Sequence, residues 1–165
     1  MELRYKVWLE ISKGAVQNNA RVFRGLLDKK TQLYAVVKSN AYGHGLMQFS
    51  TIVDKSVDGF CVDSVVEGVK LRTHGITKPI LVLGYTLPAL YVVAAKNNII
   101  VTLSSRESLA AWSKAKPKPQ FHLKMDTGMH RQGFQIPELK AVLEKTQKYM
   151  MGVYTHFAMA KNRDD

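Results

Sequence analysis

Six short runs of apolar, β-branched residues recur along the chain at nearly even intervals, and this regularity restricts the fold more than any other feature. They are Leu33–Lys38, Gly59–Asp63, Ile80–Leu83, Ile99–Leu103, Gln120–Lys124 and Gly152–His156. Each is about five residues long with little polar alternation, the pattern of strands buried on both faces of a parallel sheet. The gaps between them are helical in character. Ser12 is placed to cap a first helix on which Val16, Ala20, Phe23 and Leu27 share one face. Further helices are expected over Leu46–Asp54, Ser64–His74, Leu87–Asn97, Arg106–Lys114 and Pro137–Tyr149. Pro137 suits a first turn, where its missing N–H costs nothing. The whole reads as repeated βα units.

Two architectures are built from such units, an open doubly wound sheet and a (β/α)8 barrel. An open dinucleotide fold wants G-x-G-x-x-G after its first strand. The loop here is Ser39-Asn-Ala-Tyr-Gly-His-Gly45, which lacks that fingerprint and favours the barrel. The expected class is therefore α/β, of the (β/α)8 TIM-barrel type. A closed barrel needs eight strands, typically within about 250 residues. This chain has 165 residues and six candidate strands, so about six of the eight βα units are present. An open arc of six strands would expose two long edges, which proteins normally cover. A fragment of a longer protein is expected.

The remaining composition narrows the class. Hydrophobic residues make up 46%, too many for a disordered chain. One cysteine excludes a disulfide framework and a Cys-rich zinc site, and the histidines show no metal spacing. Cys61, Trp8 and Trp112 are expected to be packing residues. The N-terminus lacks the apolar run of a secretory signal, and the longest apolar stretches fall far short of a bilayer span, so a soluble cytoplasmic protein is expected. The 24 Lys and Arg outnumber 13 Asp and Glu, for a formal charge of +11. That raises the possibility of a nucleic-acid partner. The lysines are scattered, however, and the densest cluster, Lys114 to Pro119, alternates with small residues and proline as a solvated connector does. Neither nucleic acid nor membrane is expected as a partner.

Barrel enzymes hold their chemistry at the C-terminal ends of the strands, and three basic side chains fall there. Lys38 ends an apolar strand. Partly desolvated, it could act as a nucleophile toward a carbonyl, or it could simply mark where the strand meets solvent. Arg131 lies in the loop Asp126-Thr-Gly-Met-His-Arg131-Gln-Gly133 after the fifth strand. It suits a carboxylate or phenolate oxygen, or alternatively a surface ion pair with Asp126. His156 ends the sixth strand, as a site residue or as a buried histidine satisfied by backbone.

Three longer patterns carry a resemblance. Ala35-Val-Val-Lys-Ser-Asn-Ala-Tyr-Gly-His-Gly45, Lys124-Met-Asp-Thr-Gly-Met-His-Arg131 and Gly152-Val-Tyr-Thr-His-Phe-Ala158 resemble, in this order, three motifs of the alanine racemases. The resemblance runs from about Val7 to Ala158. It implies a homodimeric pyridoxal 5′-phosphate enzyme that interconverts L- and D-alanine for peptidoglycan precursors. Lys38 would bond covalently to the cofactor and serve as one of two catalytic bases. Tyr42 would bind the cofactor's phosphate, and Arg131 its phenolic oxygen and the substrate carboxylate. Lys124 matches a position carbamylated in many members. His156 would support an arginine that faces the pyridine nitrogen. No metal is implied.

The second base of the family, a tyrosine from a C-terminal β domain across the dimer interface, has no counterpart in this chain. The implied division is an N-terminal strand segment, residues 1–11, that packs on that domain, followed by a partial barrel domain over 12–165. Gln132 stands where an aliphatic residue is usual, and Lys161 where an acid is expected. An alternative implied by the same barrel is a non-catalytic carrier of the cofactor. An isolated chain of this length is expected to be inactive, and its preference for alanine over serine is not legible.

Overall fold

The computed structural model describes residues 6–161. Six parallel strands form its centre: β1 (Tyr34–Val36), β2 (Gly59–Val62), β3 (Ile80–Val82), β4 (Val101–Leu103), β5 (Phe121–Lys124) and β6 (Met150–Tyr154). β1, β2 and β3 pair in that order, as do β4, β5 and β6. A parallel bridge from Leu81 to Ile100 joins the two sets, with Val82 N–H donating to Ile100 O at 2.8 Å. The strands thus follow chain order around one arc. A doubly wound sheet reverses its order at a switch point, and this arc has no reversal. It is six consecutive staves of a (β/α)8 barrel.

Strand alternation divides the apolar residues between two faces. On the outer face Phe60, Val62, Ile80, Val82, Val101, Leu103, Phe121 and Leu123 are fully buried beneath the helices. Cys61, Leu81 and Ile100 point the other way, into the barrel interior, with Tyr34 and Leu83 against them. Burial on both faces explains why these strands read as continuous apolar runs. β1 and β6, at the ends of the arc, are half-exposed, with Val36, Met151 and Val153 facing solvent.

The helices match their expected positions closely. α1 (Lys13–Gly25) begins at Ser12, whose hydroxyl accepts from Ala15 N at 3.2 Å. α2 (Leu46–Val53), α3 (Val65–Thr73), α4 (Tyr91–Lys96), α5 (Arg106–Lys114) and α6 (Leu139–Thr146) follow. Short 3-10 turns at Pro88–Leu90, Ile136–Glu138 and Gln147–Tyr149 take up residues expected to be α-helical at the ends of α4 and α6. Pro137 sits in the first turn as anticipated. The sixth strand begins two residues earlier than read, because Met150 continues the pairing to Phe121.

Two expectations change at the N-terminal end. The apolar face of α1 buries no residue completely, and Phe23 is 61% exposed. β1, beside it, is the arc's edge, so half of the groove that would bury that face is open. Residues 6–11 form no strand, and Trp8 is exposed rather than packed, its indole N–H donating to Glu10 at 2.6 Å. Residues 1–5 of the expected strand segment lie outside the described residues. Trp112 and Cys61 are buried as read, Trp112 packing edge-on against Phe121 and Tyr149.

The end of the arc opposite the site is tied by cations on backbone carbonyls. Arg72 donates to Ile76 O, Lys78 O, Asn97 O and Asn98 O at 2.7–3.0 Å. Arg24 pairs with Asp58, whose carboxylate also accepts from Leu33 N at 2.7 Å.

Candidate active site

The chain turns sharply after β1. Val37, fully buried, still pairs with Cys61 O at 2.8 Å, and half-buried Lys38 follows it at the strand's C-terminal end. Ser39, Asn40, Ala41 and Tyr42 then all take positive φ, between 53° and 57°. Left-handed backbone costs a non-glycine residue roughly 1–2 kcal/mol, so four in succession are sustained only by their surroundings. Ala41 N–H donates to Val37 O at 2.8 Å, and Gly45 N–H to Asn40 O at 3.0 Å. The Asn40 side chain accepts from Leu46 N at 2.9 Å, and Ala41 is buried. The turn ends at Gly43, whose φ of 91° suits glycine. Tyr42 emerges 60% exposed in the same strand-end layer as Lys38.

The loop after β5 is clamped at its base. Met125 bridges Phe134, with Phe134 N–H on Lys124 O at 2.8 Å and Asp126 N–H on Phe134 O at 3.1 Å. Gly133 permits that closure: a Cβ there would lie 2.4 Å from Asp126 N, and its φ is 143°. Asp126 holds the loop from within, accepting from Gly128 N at 3.1 Å and His130 N at 3.0 Å. Those N–H groups, His130 first, hold its carboxyl below the ordinary aspartate value. An Asp126–Arg131 ion pair is not formed among the described residues. Among the described residues the basic side chain nearest Asp126 is the His130 ring at 3.8 Å, and Arg131 is exposed on the loop. Gln132 reaches across to donate to Leu83 O at 3.3 Å.

Lys124 closes β5 on the barrel's inner side and is 4% exposed. Its Nζ lies 5.7 Å from the centre of the Tyr154 ring. Tyr154 OH is 3.0 Å from Thr102 Oγ1, which itself donates to Val82 O at 2.7 Å. Burial pushes the Lys124 ammonium below the ordinary lysine value, the positive charge of Arg131 pushes it further, and that of Lys38 adds to this against the opposing pull of Asp126. The β5 and β6 loops are fastened together: Thr155 Oγ1 donates to Met125 O at 3.0 Å and lies 2.7 Å from Thr127 Oγ1. His156, next along, is exposed rather than a buried, backbone-satisfied histidine.

Lys38, Lys124 and Arg131 therefore gather on one end of the arc, close enough for their charges to act on one another. Three cations with one carboxylate already committed to backbone make a site for an anion. A phosphate, a carboxylate and a phenolate all fit that donor set, and the Lys38 amine adds a nucleophile. The left-handed turn and the Tyr154–Thr102 pair had no signature in the sequence reading. Nor did Glu67, which fell unremarked within the helix expected over Ser64–His74.

Comparison with known proteins agrees with this geometry. The sequence model described as alanine racemase, N-terminal domain, matches residues 11–165. The chain belongs to the alanine racemase family. It is 37% identical over 171 residues to the alanine racemase of Methanococcus maripaludis, covering 97% of this chain and 46% of that protein. It is 38% identical over 153 residues to that of Streptococcus uberis, covering 88% and 42%. Among solved structures it is similar to the Bacillus anthracis alanine racemase with bound L-Ala-P, at TM-score 0.88 and 31% identity, over 99% of this chain and 45% of that one. The E. faecalis alanine racemase superposes at TM-score 0.87 with 32% identity, over 93% of this chain and 44% of that chain. The chain thus spans a little under half the length of these relatives.

Proposed function

We propose that this chain is the cofactor-bearing part of a pyridoxal 5′-phosphate-dependent alanine racemase, acting as a homodimer in the cytoplasm and supplying D-alanine for peptidoglycan. The observation that carries this reading is Lys38 at the end of β1, in a family of alanine racemases, beside the cationic pair Lys124 and Arg131. Among the described residues no helix is long and apolar enough to cross a membrane.

The cofactor, when bound, supplies the π-system that makes an amino acid's α-proton removable. The rest is work for this chain's side chains. Lys38 anchors the cofactor through Nζ and, once freed, takes or returns the α-proton on one face of the substrate. Tyr42 donates its hydroxyl to the phosphate. Arg131 orients the substrate carboxylate and neutralises the phenolic oxygen, with its guanidinium fork presented by the clamped loop. Lys124, carried as a carbamate, turns a repulsive neighbour of Arg131 into an attractive one. His156 supports an arginine at the pyridine nitrogen, and the proton on the opposite face is handled by a tyrosine of the C-terminal β domain. Residues 1–11 pack on that domain.

The test is Lys38→Ala in the full-length protein, loaded with pyridoxal 5′-phosphate. Both the visible absorption of the lysine-bound cofactor and racemisation of alanine vanish. Retention of both would overturn the reading, as would borohydride reduction that attaches the cofactor to another residue. Loading of the wild type at Lys38 without turnover would support a carrier instead.

A further inference from the structure

We infer that Glu67 is a positioning residue for the turn that carries Lys38 and Tyr42, an inference that rests on the function proposed above. Glu67 belongs to the next βα unit, in the first turn of α3. The pattern Ser64-Val-Val-Glu67 is that of a capping box, in which the glutamate returns to the N–H of the capping residue. Ser64 performs its half, its hydroxyl accepting from Glu67 N at 3.3 Å. The glutamate does something else. Its Oε2 accepts from Asp63 N at 2.8 Å, and its Oε1 crosses to Asn40 N at 3.2 Å. One carboxylate thereby joins the loop after β2 to the left-handed turn after β1.

Asn40 is where that turn is held. Its carbonyl accepts from Gly43 N at 3.1 Å and Gly45 N at 3.0 Å, and its side chain from Leu46 N. Those bonds are local to the turn, whereas Glu67 supplies the acceptor for Asn40 N–H from 27 residues away. A charged acceptor makes a stronger bond than a neutral one, and the N-terminal turn of a helix favours the negative charge. Consecutive left-handed residues relax toward ordinary backbone when released. Relaxation here would swing the peptide between Lys38 and Tyr42, the two groups assigned to the cofactor's aldehyde and phosphate.

The full-length holoprotein decides this with Glu67→Ala and Glu67→Gln. Glutamine keeps the volume and one acceptor but turns an amide donor toward the second N–H, so one of the two bonds survives. Hydrogen exchange accelerates at both Asn40 and Asp63 in Glu67→Ala, and in Glu67→Gln at whichever of the two amides the remaining oxygen no longer serves. The dissociation constant of pyridoxal 5′-phosphate rises by about tenfold in Glu67→Ala, as expected from one lost charge-assisted bond, and by less in Glu67→Gln. Turnover falls while KM for alanine holds, because Glu67 touches neither Arg131 nor its loop. A lower melting temperature with unchanged cofactor affinity, visible absorbance and kcat overturns the inference. So does Glu67→Gln with wild-type exchange at both Asn40 and Asp63, the deciding result should Glu67→Ala fail to fold. A wild type that never loads cofactor on Lys38 sinks the proposed function instead, and the exchange at Asn40 still decides whether Glu67 holds the turn.

Discussion

Lys124 concentrates the electrostatic problem of this site in one side chain. It is buried, faces an aromatic ring, and its charge is disfavoured by burial, then by Arg131, then by Lys38. A lysine with a lowered pKa holds more of its amine neutral near pH 7, and only the neutral amine adds carbon dioxide. The product is an anion, which removes both repulsions at once. Full-length protein equilibrated with carbon-13 bicarbonate is therefore expected to show a carbamate resonance that Lys124→Ala lacks. Acidification protonates the amine and removes the signal. With the support for Arg131 lost, kcat/KM of Lys124→Ala falls by about tenfold or more, as misplaced orienting groups do. Wild-type turnover in Lys124→Ala would show that Arg131 needs no such partner.

Among the elements, the β5 strand and its loop determine where the arginine stands. The strand sends Phe121 and Leu123 outward into the helix layer and Lys124 inward. The loop returns to Lys124 O through Phe134, and Gly133 makes that return sterically open. Gly133→Ala has no position for its methyl that avoids Asp126 N and the Met125 carbonyl carbon, at 2.4 and 2.6 Å. The Asp126–Phe134 pairing must open and Arg131 must move. An ångström-scale shift of an orienting group costs roughly 10²-fold in rate, so kcat/KM should fall by about that factor while the cofactor stays bound. Loss of cofactor absorbance in Gly133→Ala would place the damage at the Lys38 turn instead.

At the scale of the molecule, the two ends of the arc do different work. The residues proposed for the site lie toward the C-terminal ends of the strands, while Arg72 and the Arg24–Asp58 pair knit the opposite end. Changes there act on stability. Arg72→Met leaves four carbonyls without their donor and should lower stability by about 2–3 kcal/mol in denaturant titration, with cofactor affinity unchanged. Weakened cofactor binding in that variant would contradict the division. The end strands of the arc are the exposed ones: Val36 on β1 and Met151 and Val153 on β6 are all open to solvent. Residues 1–165 produced alone should show no racemisation in an assay for D-alanine, since one base and an unclosed sheet do not hold the substrate on both sides. Turnover comparable to the full-length protein would refute the need for a second half.

Residues near in sequence decided what could be read without a structure. The six strands, the Ser12 cap, Pro137 and the barrel class follow from periodicity, capping chemistry and the absence of a dinucleotide loop, all local properties of the chain. Lys38, Arg131 and His156 were expected near strand ends from the apolar pattern, whereas Lys124 entered only through the family resemblance. Three things were decided only by folding. The left-handed run Ser39–Tyr42 contradicts local backbone preference and exists because Val37, Leu46 and Glu67 hold it. The lowered Lys124 pKa arises first from burial in the packed arc and then from Arg131 and from Lys38 after β1, and the exposure of α1 and Trp8 from open space beside β1. Each depends on groups brought together from distant parts of the chain, which no window along the sequence contains.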